Sequence, residues 1–256
     1  MDKEIEYNRY NNHSSEILNM IENKLVVHFS EGSEAYPEYL KSPYQYYEKE
    51  LTKIIKPNQK ILDLCCGNGI HTLFIAKLGA EVTAVDIAEN SIKLAEIRAK
   101  NAGIQNIKFI TSDVEKLALG EEDKFDVITC VGSLSYLELE PFINNIKTLL
   151  KKEGVFICVD SFNHNPIYRL NRFIHYLQKK RSYSTLTRMP NRKTIKFFKR
   201  NFKTVYVKYF GIFAFLGAIL KTFLGYNKTK IVIDKLDNIF PILNNFAFKI
   251  VIVSKL

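Results

Sequence analysis

The sequence predicts an α/β protein built on a doubly wound, mostly parallel sheet, and three observations carry that prediction. From Lys60 to Asp160, short runs rich in Ile, Val and Leu alternate with longer amphipathic runs, and parallel strands joined by crossover helices are what such alternation requires. Breakers containing Gly, Asn, Asp or Pro punctuate the runs. Hydrophobic residues make up 46% and charged residues 25% of the 256 positions, which supplies a large core and excludes a disordered chain.

Residues 1–56 are polar and tyrosine-rich, with helical patches at 15–24 and 44–55, and they read as a helical N-terminal lid. Residues 57–256 read as one domain. A Pro57-Asn58 turn precedes a buried strand at 60–66. There follow a helix at 70–78, a strand at 81–86, a helix at 88–102 closed by Gly103, and a strand at 107–111. A short helix is expected after Asp113, then a strand at 125–131, a helix at 139–150, the Glu153-Gly154 turn and a strand at 155–160. A basic, aromatic insertion covers 161–190, with a helix over 167–180. A helix at 193–200, a strand at 204–210, a second insertion at 211–240 and a last strand at 246–254 complete the chain. Within the second insertion the apolar run 210–220 falls short of the ~20 residues of a membrane span. It reads either as a buried wall or as a surface element dipping into a membrane interface beside Lys208 and Lys221.

The net charge of +10 is unevenly placed: residues 160–256 hold 19 Lys and Arg against 3 acids, the rest 18 against 24. A basic half implies an anionic partner (a phosphate-bearing substrate, an anionic membrane surface or nucleic acid) or simply solvated lysines. The charged amino terminus lacks the apolar stretch of a secretory signal, so cytoplasmic residence is expected, with contact at the inner face of the membrane left open. Cys65, Cys66, Cys130 and Cys158 lie in strand-like runs without a C-x-x-C pair, which points to reduced core cysteines and no metal.

Asp63-Leu64-Cys65-Cys66-Gly67-Asn68-Gly69 ends a strand and opens a helix, where a doubly wound sheet binds ligands. Glycines there let a ligand approach the backbone. A dinucleotide site would want a third glycine at position 72, which is Thr72. Asp86 closes the next strand, where an acid can accept both ribose hydroxyls of an adenosine cofactor, and Asp113 follows the third strand, where a carboxylate can read an exocyclic amine.

The run ILDLCCGNGIHTLFIAKLGAEVTAVDIAENSIKLAEIRA, with ITSDVEKL and FDVITCVGSLSYL, resembles the motifs of class I S-adenosylmethionine-dependent methyltransferases. The resemblance implies a Rossmann-like, seven-stranded, mostly parallel sheet with an antiparallel last strand. It implies S-adenosylmethionine as cofactor, bound by Asp63, Cys65, Gly67, Asn68 and Gly69, with the Cys65 and Gly67 backbone groups facing the methionine end. Asp86 and Ile87 then hold the ribose, Asp113 and Val114 frame adenine, and Cys130 lies beneath the sulfonium. Where the family has a first glycine in D-x-G-x-G-x-G, this chain has Cys65.

Methyl transfer needs donor and acceptor held at near-attack distance, and a hydroxyl acceptor also needs a base. Asp160, His164 and His71 follow strand ends and are the candidates. The 161–190 segment resembles the insertion of bacterial methyltransferases from polysaccharide and glycan biosynthesis clusters. That similarity implies O-methylation of a sugar or other small-molecule hydroxyl, with Tyr168, Arg169, Arg172, His175 and Arg181 placed to contact the acceptor. Arginines suit phosphate and carboxylate groups. An RNA methyltransferase, an enzyme of lipid-linked acceptors at a membrane surface, a non-catalytic cofactor-binding subunit and an NAD-dependent sugar enzyme are the rivals. Against RNA, no N-P-P-Y or D-P-P-Y motif follows the fourth strand.

Overall fold

The computed structural model describes residues 2–117, 119–120, 123–178 and 181–256. Seven strands form one sheet in the order β3-β2-β1-β4-β5-β7-β6: β1 (Lys60–Leu64), β2 (Glu81–Asp86), β3 (Ile107–Thr111), β4 (Phe125–Val131), β5 (Leu150–Ser161), β6 (Thr204–Phe210) and β7 (Lys249–Lys255). The first five are parallel, and β7 runs antiparallel between β5 and β6. The order reverses between β1 and β4, so the crevice beyond their carboxyl ends is the ligand position of such a sheet.

Side chains alternate across each strand and both faces are covered, which explains the continuous apolar runs. In β5, Phe156 and Cys158 join the core beneath α5 (Leu139–Leu149) and α8 (Arg192–Asn201), whereas Ile157 and Val159 face α2 (Ser42–Ile54) and α3 (Ile70–Lys77). Phe156 stacks on Phe198 at 5.7 Å with both rings fully buried. Each such ring contributes roughly 1.5–3 kcal/mol over its exposed state.

The N-terminal helix α1 (Asp2–Glu22) begins well before the expected residue 15. It lies against α4 (Glu89–Asn101) through the Ser14–Ser91 hydroxyl pair and the Asn90 N–H donated to Asn11 Oδ1. Its sequence carries only a weak helical apolar stripe, so tertiary contact holds what propensity alone did not announce. The first strand stops at Leu64 because Cys65 turns to φ 55°. After Asp113 there is a turn where a helix was expected, among the described residues. The Glu153-Gly154 turn is absorbed into a bulged start of β5, with Glu153 at φ 66°.

The first insertion forms α6 (Pro166–Leu177) and an unanticipated α7 (Tyr183–Arg188); Lys179 and Lys180, placed in the expected helix, lie outside the described residues. The second is largely helical: α9 (Gly217–Ile239) breaks at Gly225, whose φ of 74° interrupts the hydrogen-bond ladder. Of the apolar run, Ile212 and Ala214 are buried, as a wall against the sheet would be, whereas Ile219 is exposed. The last strand starts three residues late because a 3-10 turn occupies Pro241–Phe246.

Candidate functional site

A cavity of about 360 Å³ opens at the carboxyl ends of the parallel strands. Asp63, Cys65, Gly67, Asn68, Asp86, Ile87, Asp113, Val114 and Asp160 all line it, as four strand ends meet at one edge. Gly67 takes φ 54°, and a Cβ built there would enter open space, so a ligand can lie directly against this backbone. Gly69, at φ 79°, does not line the cavity; a Cβ there would meet Ala95 at 3.0 Å, so its work is to let α3 pack on α4. Cys130 is likewise fully buried below the cavity, outside its lining.

Two carboxylates organise the floor. Asp86 accepts the Gly67 N–H at 2.8 Å and the Ala88 N–H at 2.9 Å, and burial raises its pKa while these bonds pull it back. Its place at the end of β2 and its held geometry fit the ribose of an adenosine cofactor, and the open space at Gly67 fits the cofactor's chain. Asp63 accepts hydroxyls from Thr72 and Thr129, both at 2.6 Å, and burial pushes it up to about 6. The position where a dinucleotide site needs glycine is thus a fully buried Thr72 tying α3 to β1.

The cavity has walls that the sequence reading left unassigned. Lys3, Glu6, Tyr7 and Tyr10 of α1 line one side. Lys3 binds Asp113 at 2.8 Å, Tyr10 meets the Tyr136 hydroxyl at 2.9 Å, and Thr185 donates to Glu6 at 2.9 Å. Tyr36 also lines the cavity and stacks on Tyr44 at 3.5 Å, with His71 beside both rings and 3.1 Å from the Tyr36 hydroxyl. Burial pushes the imidazole down to about 3, so it is neutral.

Asp160 sits at the cavity wall as expected, accepting N–H groups from Leu134 at 2.8 Å and Ser161 at 2.6 Å, and burial raises its pKa. Lys249 stands nearby at the start of β7. No motif or spacing along the chain points to it, since an antiparallel strand delivers its first residue to the edge where parallel strands deliver their last.

The expected acceptor residues go elsewhere. Tyr168 donates its hydroxyl to the Gly211 carbonyl at 2.8 Å, and buried Arg172 donates to the Phe162 carbonyl at 2.9 Å, so both hold the insertion to the sheet, outside the cavity lining. Arg169 is exposed and His175 half-buried, neither at the cavity. His164 accepts the Arg192 N–H at 3.2 Å and packs by Phe162, outside the lining, because the chain turns away after Ser161. Of the insertion's named residues only Arg181 reaches the cavity, joined by Arg188 and Met189.

A family model for a methyltransferase domain matches residues 55–206. The chain is 32% identical over 108 residues to a ubiquinone biosynthesis O-methyltransferase of Albidiferax ferrireducens, covering 42% of this chain and 43% of that protein. It is 30% identical over 108 residues to the protein of that name from Acinetobacter baumannii, covering 42% and 46%. The chain spans less than half the length of these curated relatives. Among solved structures, it is similar to geranyl diphosphate C-methyltransferase from Streptomyces coelicolor A3(2), with TM-score 0.58, 14% identity and coverage of 84% and 79%. It is also similar to Haemonchus contortus phosphoethanolamine N-methyltransferase 2 in complex with S-adenosyl-L-methionine, with TM-score 0.55, 14% identity and coverage of 81% and 52%. At these identities the structures speak for the fold, while the family match spans the strands that build the cavity floor. The chain therefore belongs to the methyltransferase domain family, whose cofactor is S-adenosylmethionine.

Proposed function

We propose that this protein transfers a methyl group from S-adenosylmethionine to a hydroxyl of a small molecule. The observation that carries the reading is a cavity with two unlike ends across the sheet: Gly67, Asp86 and Asp113 follow β1, β2 and β3, whereas Lys249 on β7 lies beyond β4 and β5 against Tyr44, on which Tyr36 stacks, with Arg181 also in the lining. The first end suits an adenosyl group and the second a compact polar acceptor. The cofactor, when bound, supplies the electrophilic methyl; the chain's part is to align the acceptor and keep water out. In this reading α1 is the lid, closed through its bonds to Asp113, Tyr136 and Thr185. Curated relatives named ubiquinone biosynthesis O-methyltransferases support oxygen as the acceptor atom.

The test is S-adenosylhomocysteine release from S-adenosylmethionine with panels of phenols, sugars and RNA. Release with hydroxyl-bearing small molecules is expected; release with RNA alone sinks the reading.

A second reading concerns where the acceptor is carried. On α6 the residues Ile167, Leu170, Phe173, Ile174 and Leu177 recur at helical spacing and are all exposed, while Tyr168 and Arg172 are buried. This inverted helix, in the basic half of the chain, supports contact with an anionic membrane surface and a lipid-carried acceptor. Among the described residues no helix is long and apolar enough to cross a membrane. Co-sedimentation with phosphatidylglycerol vesicles is expected and should fall with Leu170→Glu; retention of binding by that variant removes this second reading.

A further inference from the structure

Lys249 is the first residue of β7, paired with Ser161 on β5 and Phe210 on β6. Strand alternation puts it on the same side as Val251, whose core includes Tyr44 and Tyr47. Its Nζ lies 5.6 Å from the centre of the Tyr44 ring and 5.8 Å from that of Phe248. Among the described residues it has no carboxylate within 4.0 Å and no hydrogen-bond partner. Such an amine, half-buried against rings and open to a cavity, is costly to leave unmatched. Asp160 is the carboxylate that acts on it from the neighbouring strand, but both Asp160 oxygens already accept backbone N–H groups. Tyr36 and Tyr44 face Lys249 from the segment around α2, Tyr10 from α1, His71 from α3 and Arg172 from α6. His71 is neutral, and the phenols of Tyr36 and Tyr44 are pushed up by burial, so none of these competes for the proton.

We infer that Lys249 is the residue that binds the acceptor oxygen and takes its proton, and that the acceptor is an acidic hydroxyl, a phenol or enol, lying against the Tyr36–Tyr44 wall. The inference rests on the methyltransferase reading and narrows it. An amine and a phenol have ordinary pKa values near each other, both about 10, so the proton passes between them at little cost. A simple alcohol, as weak an acid as water at about 15.7, does not give its proton to an amine in this way. Burial pushes the Lys249 ammonium down, Asp160 pulls it up, and the ion pair formed with a phenolate matches the unpaired position. In the step, the acceptor O–H bond breaks and its proton joins the Lys249 amine. The electron pair left on oxygen forms the new C–O bond as the methyl–sulfur bond breaks, with that bond's electrons leaving on sulfur. The flat stacked rings, 7° apart in plane, offer an aromatic acceptor a surface that a sugar uses poorly.

The probe is para-nitrophenol, whose colour reports its ionisation, titrated into protein saturated with S-adenosylhomocysteine. Wild type should lower the pKa of the bound probe by about 1–3 units, as a cation within contact distance does. Lys249→Met should bind S-adenosylhomocysteine as wild type does and leave the probe unshifted. An unshifted probe in wild type, or an equal shift in Lys249→Met, overturns the assignment of Lys249 while leaving cofactor binding intact. Absence of calorimetric heat with S-adenosylhomocysteine in wild type overturns the methyltransferase reading and the inference with it. A second measurement needs no variant: the probe should protect Lys249 from acetic anhydride severalfold in wild type, and undiminished labelling overturns the proposal.

Discussion

Asp86 holds the glycine loop by its backbone: one carboxylate oxygen accepts the Gly67 N–H at 2.8 Å while the other accepts the Ala88 N–H at 2.9 Å. One side chain therefore shapes the loop and offers its remaining lone pairs to the cavity. Replacing it by alanine should leave the sheet folded and remove charged hydrogen bonds to ribose, each contributing about 1.5–3 kcal/mol. Kd for S-adenosylhomocysteine should rise by about 10- to 150-fold. Calorimetry on a variant with wild-type circular dichroism decides it, and an unchanged Kd would place the cofactor elsewhere.

Lys3 on α1 occupies Asp113, the carboxylate assigned to adenine, at 2.8 Å. The pair is partly exposed and is worth at most about 1 kcal/mol. Lys3→Ala should free Asp113 and tighten S-adenosylhomocysteine binding by about two- to fivefold. A weaker complex would mean that the ammonium helps cover the cofactor more than it competes with it.

Cys65 stands at φ 55°, a backbone region that glycine enters freely and other residues enter at a cost of about 1–2 kcal/mol. Cys65→Gly should raise stability by about 1 kcal/mol, the lost packing of a half-buried thiol offsetting the rest. Urea unfolding reads this directly, and a destabilised variant refutes the strain argument.

His71 and Asp63 pull the pH dependence of stability in opposite directions. The folded state keeps His71 neutral down to about 3 from an ordinary 6.5, so it binds fewer protons than the unfolded chain, and His71 makes stability fall as pH drops through that window. Asp63 is raised from 3.8 to about 6, so the folded state binds its proton more readily and stability from this group falls as pH rises through that window. His71→Phe should flatten the loss of stability on acidification, and Asp63→Asn should steepen it. Unfolding free energies of cofactor-free protein between pH 4 and pH 7 test both, and identical profiles in all three proteins would contradict them.

Arg172 and Arg181 separate framework from site. Buried Arg172 donates to the Phe162 carbonyl at 2.9 Å, so Arg172→Met should destabilise the fold by about 1.5–3 kcal/mol. Arg181 lines the cavity and has no described hydrogen bond or ion pair, so Arg181→Met should keep the melting temperature and raise the acceptor KM. A reversed pattern would return Arg172 to the acceptor site.

The sequence by itself determined the parallel sheet, the glycine turn and the carboxylates at its edge. Those features are local: an apolar run between breakers becomes a buried strand, and the residue after it falls at the sheet's carboxyl edge wherever the rest of the chain goes. Asp63, Asp86, Asp113 and Asp160 line one cavity for that reason. What only the tertiary structure decided is which distant residues close that cavity. Lys3 comes from a weakly patterned helix, Tyr36 from a loop, Tyr44 from the first turn of α2 and Lys249 from the first position of an antiparallel strand, and no spacing along the chain relates them to the glycine turn. The same cause moved His164, Tyr168 and Arg172 out of the site: Tyr168 and Arg172 donate to the Gly211 and Phe162 carbonyls and His164 accepts the Arg192 N–H, partners that only the packed insertion brings within reach.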